Sequence, residues 1–225
     1  MRIVAFGDIH ERTANIGKIE GIDGASLVII TGDLTNRGGI DQARGVIEQV
    51  RRYNSRIYAQ AGNMDRKEVE SYLVEQGISL HGRGYMVAED IGIFGVGGSS
   101  PTPFNTPNEL DEEEILSIIL QGYREVEDVI LKILVSHAPP RNTAVDRVSG
   151  GQHAGSSAVR EFIEKYQPQV CLTGHIHEAR AQDRIGRTKI VNPGMLGNGG
   201  YVEVHREGAS LNVALKQIPG ISTSR

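Results

Sequence analysis

Cysteine is almost missing from this chain of 225 residues: there is one, Cys171, and there is no tryptophan. A lone cysteine closes no intramolecular disulfide and supplies no four-thiolate metal site, which excludes the disulfide-framework and zinc-ribbon classes together. A reducing, cytoplasmic setting is the expectation. Long apolar runs are lacking too. No stretch approaches the ~18 residues that a membrane-spanning helix needs, and residues 1–6 pass straight into a strand-like pattern with no charged-then-apolar leader. Secreted and integral-membrane classes are set aside on that basis. Nor is there a run of basic residues: 24 Lys and Arg stand against 28 Asp and Glu, a formal net charge of -4. Sequence-independent nucleic-acid binding neutralises phosphates and needs a basic footprint, so nucleic acid is not an expected partner. What the chain does have is glycine, 28 residues, and seven histidines.

A chain of this length buries roughly 70% of its unfolded surface, enough for one sizeable core. One domain over residues 1–225 is expected, with 219–225 as a loose tail. Short apolar segments at 3–6, 27–30 and 56–59 read as strands, and residues 40–53 place Ile40, Ala43, Val46, Ile47 and Val50 at helical spacing. This alternation argues for parallel strands with helical crossovers. Two short strands are expected around Glu89-Asp90, followed by a loop over 97–105 rich in Gly, Ser and Pro. Thr106-Pro107-Asn108-Glu109 offers an N-cap, a proline at the first helical position and a capping glutamate. It predicts a helix from there to about Gln121, with the acidic run 111–114 as its solvated face. A strand at 131–135, a helix at 155–166 and a buried strand at 170–172 follow, with Cys171 as an inert core residue. Two hairpins are expected last, 179–183 with 188–191 and 201–205 with 210–217.

Each strand of the parallel part ends in a small polar cluster, and in open α/β sheets the carboxyl ends of strands are where sites are built. The clusters are Gly7-Asp8-Ile9-His10, Thr31-Gly32-Asp33, Gly62-Asn63-Met64-Asp65, Ser136-His137 and Gly174-His175-Ile176-His177. Alone, each is weak: Gly-Asp and Gly-Asn are ordinary turn dipeptides, and Asp-x-His pairs are common on surfaces. Jointly, five clusters follow five strands in the order one composite site requires. The candidate ligands are Asp8, His10, Asp33, Asn63, His137, His175 and His177. Seven oxygen and imidazole groups are too many for one tetrahedral zinc and suit two octahedral-leaning metals that share a carboxylate. Such a pair, about 3.5–4 Å apart, grips both the attacking and the leaving oxygen of a phosphoryl displacement.

The set Gly7-Asp8-Ile9-His10, Gly32-Asp33, Gly62-Asn63-x-Asp65, His137 and Gly174-His175-Ile176-His177 resembles the calcineurin-like metallophosphoesterase family, from residue 1 to about 194. The resemblance implies an α/β fold, a four-layer α/β/β/α sandwich whose two central mixed sheets are flanked by helices. It implies that Asp8, His10 and His177 hold one divalent metal and that Asn63, His137 and His175 hold the other, with Asp33 bridging. Manganese, iron, zinc and nickel are the usual ions, and nothing in the sequence selects among them. The implied activity is hydrolysis of a phosphate ester by a hydroxide generated between the two metals, without a protein nucleophile. Asp33 and Asn63 then count as catalytic as well as ligating.

One position departs from the family. Its commonest third motif is Gly-Asn-His-Asp, whose histidine contacts the phosphate and protonates the leaving oxygen; here Met64 stands in that place, and a thioether donates no proton. General-acid help is typically worth ~10²–10⁴ in rate, and alkoxide leaving groups need it most. Either another group supplies the proton or the enzyme favours diesters and activated leaving groups, so a phosphodiesterase is expected rather than a monoesterase. His153, in Gly151-Gln152-His153-Ala154-Gly155-Ser156, is the candidate catalytic substitute, with local capping or packing as its alternative. The helix start at Ser156-Ser157 is an alternative seat for a phosphate oxygen. Asp65, without its histidine, reads as a turn or N-cap residue before a helix over 66–74. Segments 11–15 and 35–37, Arg141 and Phe104 are candidate substrate contacts. Asn192-Pro193-Gly194 reads as structural, and His81 and His205 as surface or packing residues. The expected partner is a small phosphate ester, nucleotides included, with a homo-oligomer left open. The alternative function is a catalytically weak scaffold that binds a protein, against which all seven ligand places being filled counts. Nuclease and protein-phosphatase readings rank below both.

Overall fold

The computed structural model describes residues 1–221. In chain order its elements are β1 (Arg2–Phe6), β2 (Leu27–Ile30), α1 (Ile40–Arg51), β3 (Ile57–Ala59), α2 (Lys67–Glu75), β4 (Gly84–Ala88), β5 (Ile91–Val96), α3 (Glu112–Arg124), β6 (Leu131–Ser136), α4 (Ser157–Tyr166), β7 (Val170–Leu172), β8 (Ala181–Ile185), β9 (Thr188–Asn192), β10 (Gly200–Glu207) and β11 (Ser210–Gln217). Two short 3-10 turns, Thr13–Lys18 and Leu196–Asn198, complete them. One sheet has the order β11-β10-β1-β2-β3 and the other β4-β5-β6-β7-β9-β8. Both are mixed: β1, β2 and β3 run parallel, as do β5, β6, β7 and β9, while β10 pairs antiparallel with β1 and the edge strands β4 and β8 pair antiparallel with β5 and β9.

Period-two alternation sends each strand's side chains into two different cores. Val4 and Phe6 of β1 and Val28 and Ile30 of β2 pack outward under α1 and α2, with Val46, Ile47, Val69 and Leu73. Their neighbours Ile3, Ala5, Leu27 and Ile29 face the second sheet, against Ile93, Ile133, Val135 and Leu172. On that sheet's far side Phe94, Leu134, Cys171 and Ile190 meet Ile115 and Ile119 of α3 and Phe162 and Ile163 of α4. The result is the four-layer α/β/β/α sandwich, held by three stacked apolar seams. Each fully buried Leu, Ile or Phe contributes roughly 1.5–3 kcal/mol, so the seams stabilise far more than the loops between them. Cys171 lies wholly in the outer seam, and burial pushes its thiol pKa up.

Several expectations are corrected. The first crossover, between β1 and β2, holds only the 3-10 turn Thr13–Lys18 and no α-helix. The helix expected from Thr106 starts at Glu112 instead. The predicted Thr-to-Glu contact does form, with the Thr106 backbone N–H and hydroxyl both donating to Glu109 Oε1 at 2.7 and 2.6 Å. However, Leu110 N–H donates to Ser99 O at 2.9 Å, which holds the segment extended. The true capping box is one turn later, where Asp111 Oδ1 accepts from Glu114 N–H at 2.8 Å and Glu114 Oε2 from Asp111 N–H at 2.9 Å. The tail is partly tied down: Gln217 Nε2 donates to Ile221 O at 2.8 Å and Ile221 packs on the core, while residues 222–225 lie outside the described part. Among the described residues no helix is long and apolar enough to cross a membrane.

Candidate metal centre and cleft

β1, β2 and β3 run parallel in one sheet and β6 and β7 in the other, and the polar clusters that follow these strands meet beyond their carboxyl ends. The turns there are tight. Asp8 and His10 both have φ of +47°, Asp33 has +50° and His175 has +70°. Non-glycine residues pay about 1–3 kcal/mol each for such conformations, which collect where a site over-determines the backbone. Gly62 lets the Asp33 loop come close, because a Cβ there would collide with the Asp33 carboxylate.

Two donor groups result, joined by one carboxylate. Among the described residues Asp8, His10, Asp33 and His177 each bring an atom within 4.8 Å of one another. His177 Nε2 lies 3.3 Å from Asp8 Oδ1 and 3.1 Å from His10 Nε2. Asp33 Oδ2 is 3.7 Å from His10 Nε2, and Asp33 Oδ1 is 3.4 Å from His137 Nε2 on the other side. Asn63 Oδ1 lies 2.9 Å from His137 Nε2 and 2.7 Å from His175 Nδ1. All seven sequence-predicted ligands are therefore brought together.

The chemistry of this set fits cations. The Thr31 carbonyl accepts from His137 Nδ1 at 3.0 Å, and the Thr35 carbonyl accepts from His10 Nδ1 at 3.2 Å. Carbonyls only accept, so both rings carry hydrogen on Nδ1 and turn an Nε2 lone pair into the cluster. His137 Nε2 then meets only the acceptor oxygens of Asn63 and Asp33. Such crowding of lone pairs is relieved by extra protons or by metal ions. Without an ion the protons respond: burial alone would lower His137, but the Asp33 carboxylate and its hydrogen bond push it up to about 9. Burial likewise opposes ionisation of Asp8, yet the His177 hydrogen bond and the charges of His177, His137 and His10 draw it down to about 2. His177 rises despite burial because Asp8 bonds to it, and His175 falls to about 4 through burial and the neighbouring His137.

Three buried polar residues brace the ligand loops. Asp65 is fully buried and accepts from the backbone N–H groups of Leu34 (3.0 Å), Thr35 (2.7 Å) and Gly62 (2.8 Å) and from the Thr35 hydroxyl (2.8 Å). It closes the bend that follows Gly62 and also ties the Asp33 loop to the Asn63 loop; it is not an N-cap, since α2 begins at Lys67 with Arg66 in the cap position and no side-chain cap. Burial and the Asp33 charge push Asp65 up to about 7, against those hydrogen bonds. Asn192 Nδ2 donates to Ile176 O at 2.9 Å behind the His175–His177 turn, which agrees with a structural role for its segment. Asn108, missed in the sequence because it stood inside the presumed helix start, donates its backbone N–H to Asn63 O and its amide to Gly62 O, both at 3.1 Å.

Four of the seven predicted ligands, Asp33, Asn63, His175 and His177, line a cleft of about 830 Å³ whose walls include Met64, Arg37, Arg141, His153, Phe104 and Glu178. Phe104 is 76% exposed, and its carbonyl accepts from Arg37 Nη2 at 3.0 Å, which pins the 97–105 loop to the Asp33 side. The helix start at Ser156-Ser157 is not open to a phosphate. Glu112 of α3 fills it, accepting from the Ser156 hydroxyl at 2.6 Å and the Ala158 N–H at 2.8 Å, so the acidic run is not merely a solvated face. Segment 11–15 also turns elsewhere: Glu11 accepts from Asn36 N–H, and Asn15 donates to the carbonyls of Leu196 and Gly197. His81 and His205 stand apart, the first accepting from Gly97 N–H and the second paired with Glu203.

A family model described as calcineurin-like phosphoesterase matches residues 1–179. The uncharacterized protein MJ1162 of Methanocaldococcus jannaschii is 37% identical over 200 residues, 86% of this chain and 88% of that protein. Among solved structures, TT1561 of Thermus thermophilus aligns with a TM-score of 0.72 at 18% identity, covering 95% of this chain and 98% of that one. The 5'-nucleotidase of Candida albicans aligns with a TM-score of 0.59 at 10% identity, covering 96% of this chain and 52% of that one. At these identities the two structures are alike in fold alone.

Proposed function

The chain belongs to the calcineurin-like phosphoesterase family, and on that premise we propose that it is a phosphodiesterase that works with two divalent metal ions. The observation that carries the reading is the pair of donor groups sharing Asp33. Asp8, His10 and His177 would hold one ion and Asn63, His137 and His175 the other, with Asp33 shared between the two groups. Two bound divalent ions would lower the pKa of a shared water and neutralise phosphoryl oxygens.

The chain's own residues do the rest. Asp8, wholly buried, and Asp33, on the cleft surface, concentrate negative charge within the donor cluster, where cations are to be retained. Thr31 and Thr35 carbonyls hold the His137 and His10 rings with Nε2 inward. Arg37 and Arg141 bring positive charge to the walls, suited to an anionic ester. Met64 cannot protonate a leaving oxygen, but with Pro101, Pro103 and Phe104 it makes an apolar wall. A diester has a second substituent to lay on that wall, and a monoester does not. The exposed Phe104 ring offers a face on which a nucleobase stacks, so a nucleotide diester is the substrate class favoured.

The test compares bis-p-nitrophenyl phosphate with p-nitrophenyl phosphate, in wild type and Asp33→Asn, each with metals supplied. The expected result is metal-dependent hydrolysis with kcat/KM higher for the diester, and loss of both activities in Asp33→Asn. Preference for the monoester refutes the phosphodiesterase reading; equal rates in wild type and Asp33→Asn refute the site.

A further inference from the structure

We infer that Asp146 and His153 form a proton-donating pair on the cleft wall that serves the leaving group in place of Met64, an inference that rests on the phosphodiesterase reading. Asp146 lies in a wholly buried position. Its carboxylate accepts from the backbone N–H groups of Thr143 (2.8 Å), Asn142 (3.0 Å) and Gly155 (3.1 Å). Those bonds fix its plane. Its shortest contact is none of them: His153 Nδ1 lies 2.6 Å from Asp146 Oδ1. Around this contact the chain closes a hairpin, with Arg147 opposite His153, Ala154 N–H donating to Asp146 O at 3.0 Å and Val148 N–H to Gln152 O at 3.0 Å. The ring is thus held from its own backbone and from Oδ1 together.

A carboxylate oxygen accepts, so the hydrogen of that short bond sits on Nδ1, and Nε2 is the nitrogen left for chemistry. Among the described residues Nε2 has no hydrogen-bond partner. The side chain is 24% exposed, and the ring lines the same cleft as Asp33, Asn63, His175 and His177. Packing alone explains little of this. Asp146 already has three backbone donors without His153, and a ring placed only to fill space has no need of a buried carboxylate behind it. The charged groups around the pair are Arg147 on the hairpin, Arg141 and Glu112 on the cleft walls, and Glu178, which accepts from the Ser149 N–H at 3.1 Å.

The step balances as one hydrolysis. A water oxygen bonds to phosphorus and gives one proton to solvent. As the bond from phosphorus to the ester oxygen breaks, the protonated His153 ring passes its Nε2 proton to that oxygen, which departs as the alcohol. The ring regains a proton from solvent, so the net change is one water consumed. His153 is then a catalytic residue, and Asp146 a positioning residue that sets which nitrogen points at the substrate.

The test sets an aryl leaving group, in bis-p-nitrophenyl phosphate, against an alkoxide leaving group, in the dinucleotide thymidylyl-thymidine. His153→Gln is expected to lose about 10²–10⁴-fold in kcat on the dinucleotide and less than about threefold on the aryl diester, with Tm and bound metal unchanged. Asp146→Asn is expected to lose about tenfold or more with the same selectivity. A readout independent of turnover is the 15N spectrum of the metal-free protein, in which His153 should carry its hydrogen on Nδ1. Equal losses on both esters, no loss on either, or the Nε2–H tautomer overturn the pair. A wild type active on the aryl diester but inert to the dinucleotide also overturns it while leaving the metal reading intact. A wild type inert to both with two metals bound overturns both.

Discussion

Replacing Asp65 with alanine strips the acceptor from four donors at once. Leu34, Thr35 and Gly62 would keep buried backbone N–H groups without their carboxylate acceptor, and the Thr35 hydroxyl would lose one of its three contacts. An orphaned buried donor costs about 1–3 kcal/mol. Three of them, partly relieved by water entering the space left by the carboxylate, give a loss of about 3–6 kcal/mol. Typical domains have only about 5–15 kcal/mol to lose, so the variant should be marginal. Asp65→Asn separates hydrogen bonding from cavity formation. It keeps the volume but turns an NH2 group toward either the Leu34 and Gly62 donors or the Thr35 pair, for a loss of about 2–4 kcal/mol. Urea denaturation of the metal-free proteins measures both values. Because Asp65 ties the Asp33 loop to the Asn63 loop, Asp65→Asn should also weaken metal binding without touching a ligand. A loss below about 1 kcal/mol in Asp65→Ala would refute the bracing role.

Three further outcomes are expected. Met64→His should restore about tenfold or more of the alkyl-diester hydrolysis lost in His153→Gln, where no acid serves the leaving oxygen, and leave the aryl diester unchanged, since only a poor leaving group benefits from an acid; a uniform change in both would contradict that. Glu112 is drawn below the usual carboxylate range; burial opposes the shift, but the Ser156 hydroxyl and Ala158 N–H outweigh it. Its stabilisation is present above the unfolded carboxylate value of about 4.3 and is lost as pH falls through the lower folded value. Glu112→Gln should therefore be about 0.3–1 kcal/mol less stable than wild type at neutral pH and equal to it in acid, as followed by thermal melts. Cys171 should not react with Ellman's reagent in the native protein and should react fully in denaturant, because burial keeps its thiol protonated and out of reach.

The convergence of the seven polar residues was legible in the sequence because each follows a short apolar run and so falls beyond a strand's end. Parallel strands then carry those ends to one edge. The partition of the seven between two groups came from family resemblance rather than from chain order, and the distances around Asp33 are consistent with it. Less legible were features made by contacts distant in sequence. Thr106 and Glu109 have the local pattern of a helix start and even make its side-chain contact, but pairing with Ser99 takes their backbone away from helix. Asp65 reads as no more than a turn residue until the Asp33 loop, some 30 residues away in the chain, folds over it. Asp146 is one aspartate among many, and only the closing of the 146–153 hairpin sets it behind His153. Glu112, read as solvated, caps a helix that begins at Ser157, far along the chain.

The proposed activity requires two ions acting together through Asp33. Metal-stripped protein titrated with Mn2+ while bis-p-nitrophenyl phosphate hydrolysis is followed tests this directly. The rate should stay low through the first equivalent, rise with the second and then level. A rate complete at one equivalent, or hydrolysis that does not depend on added metal, would contradict the account.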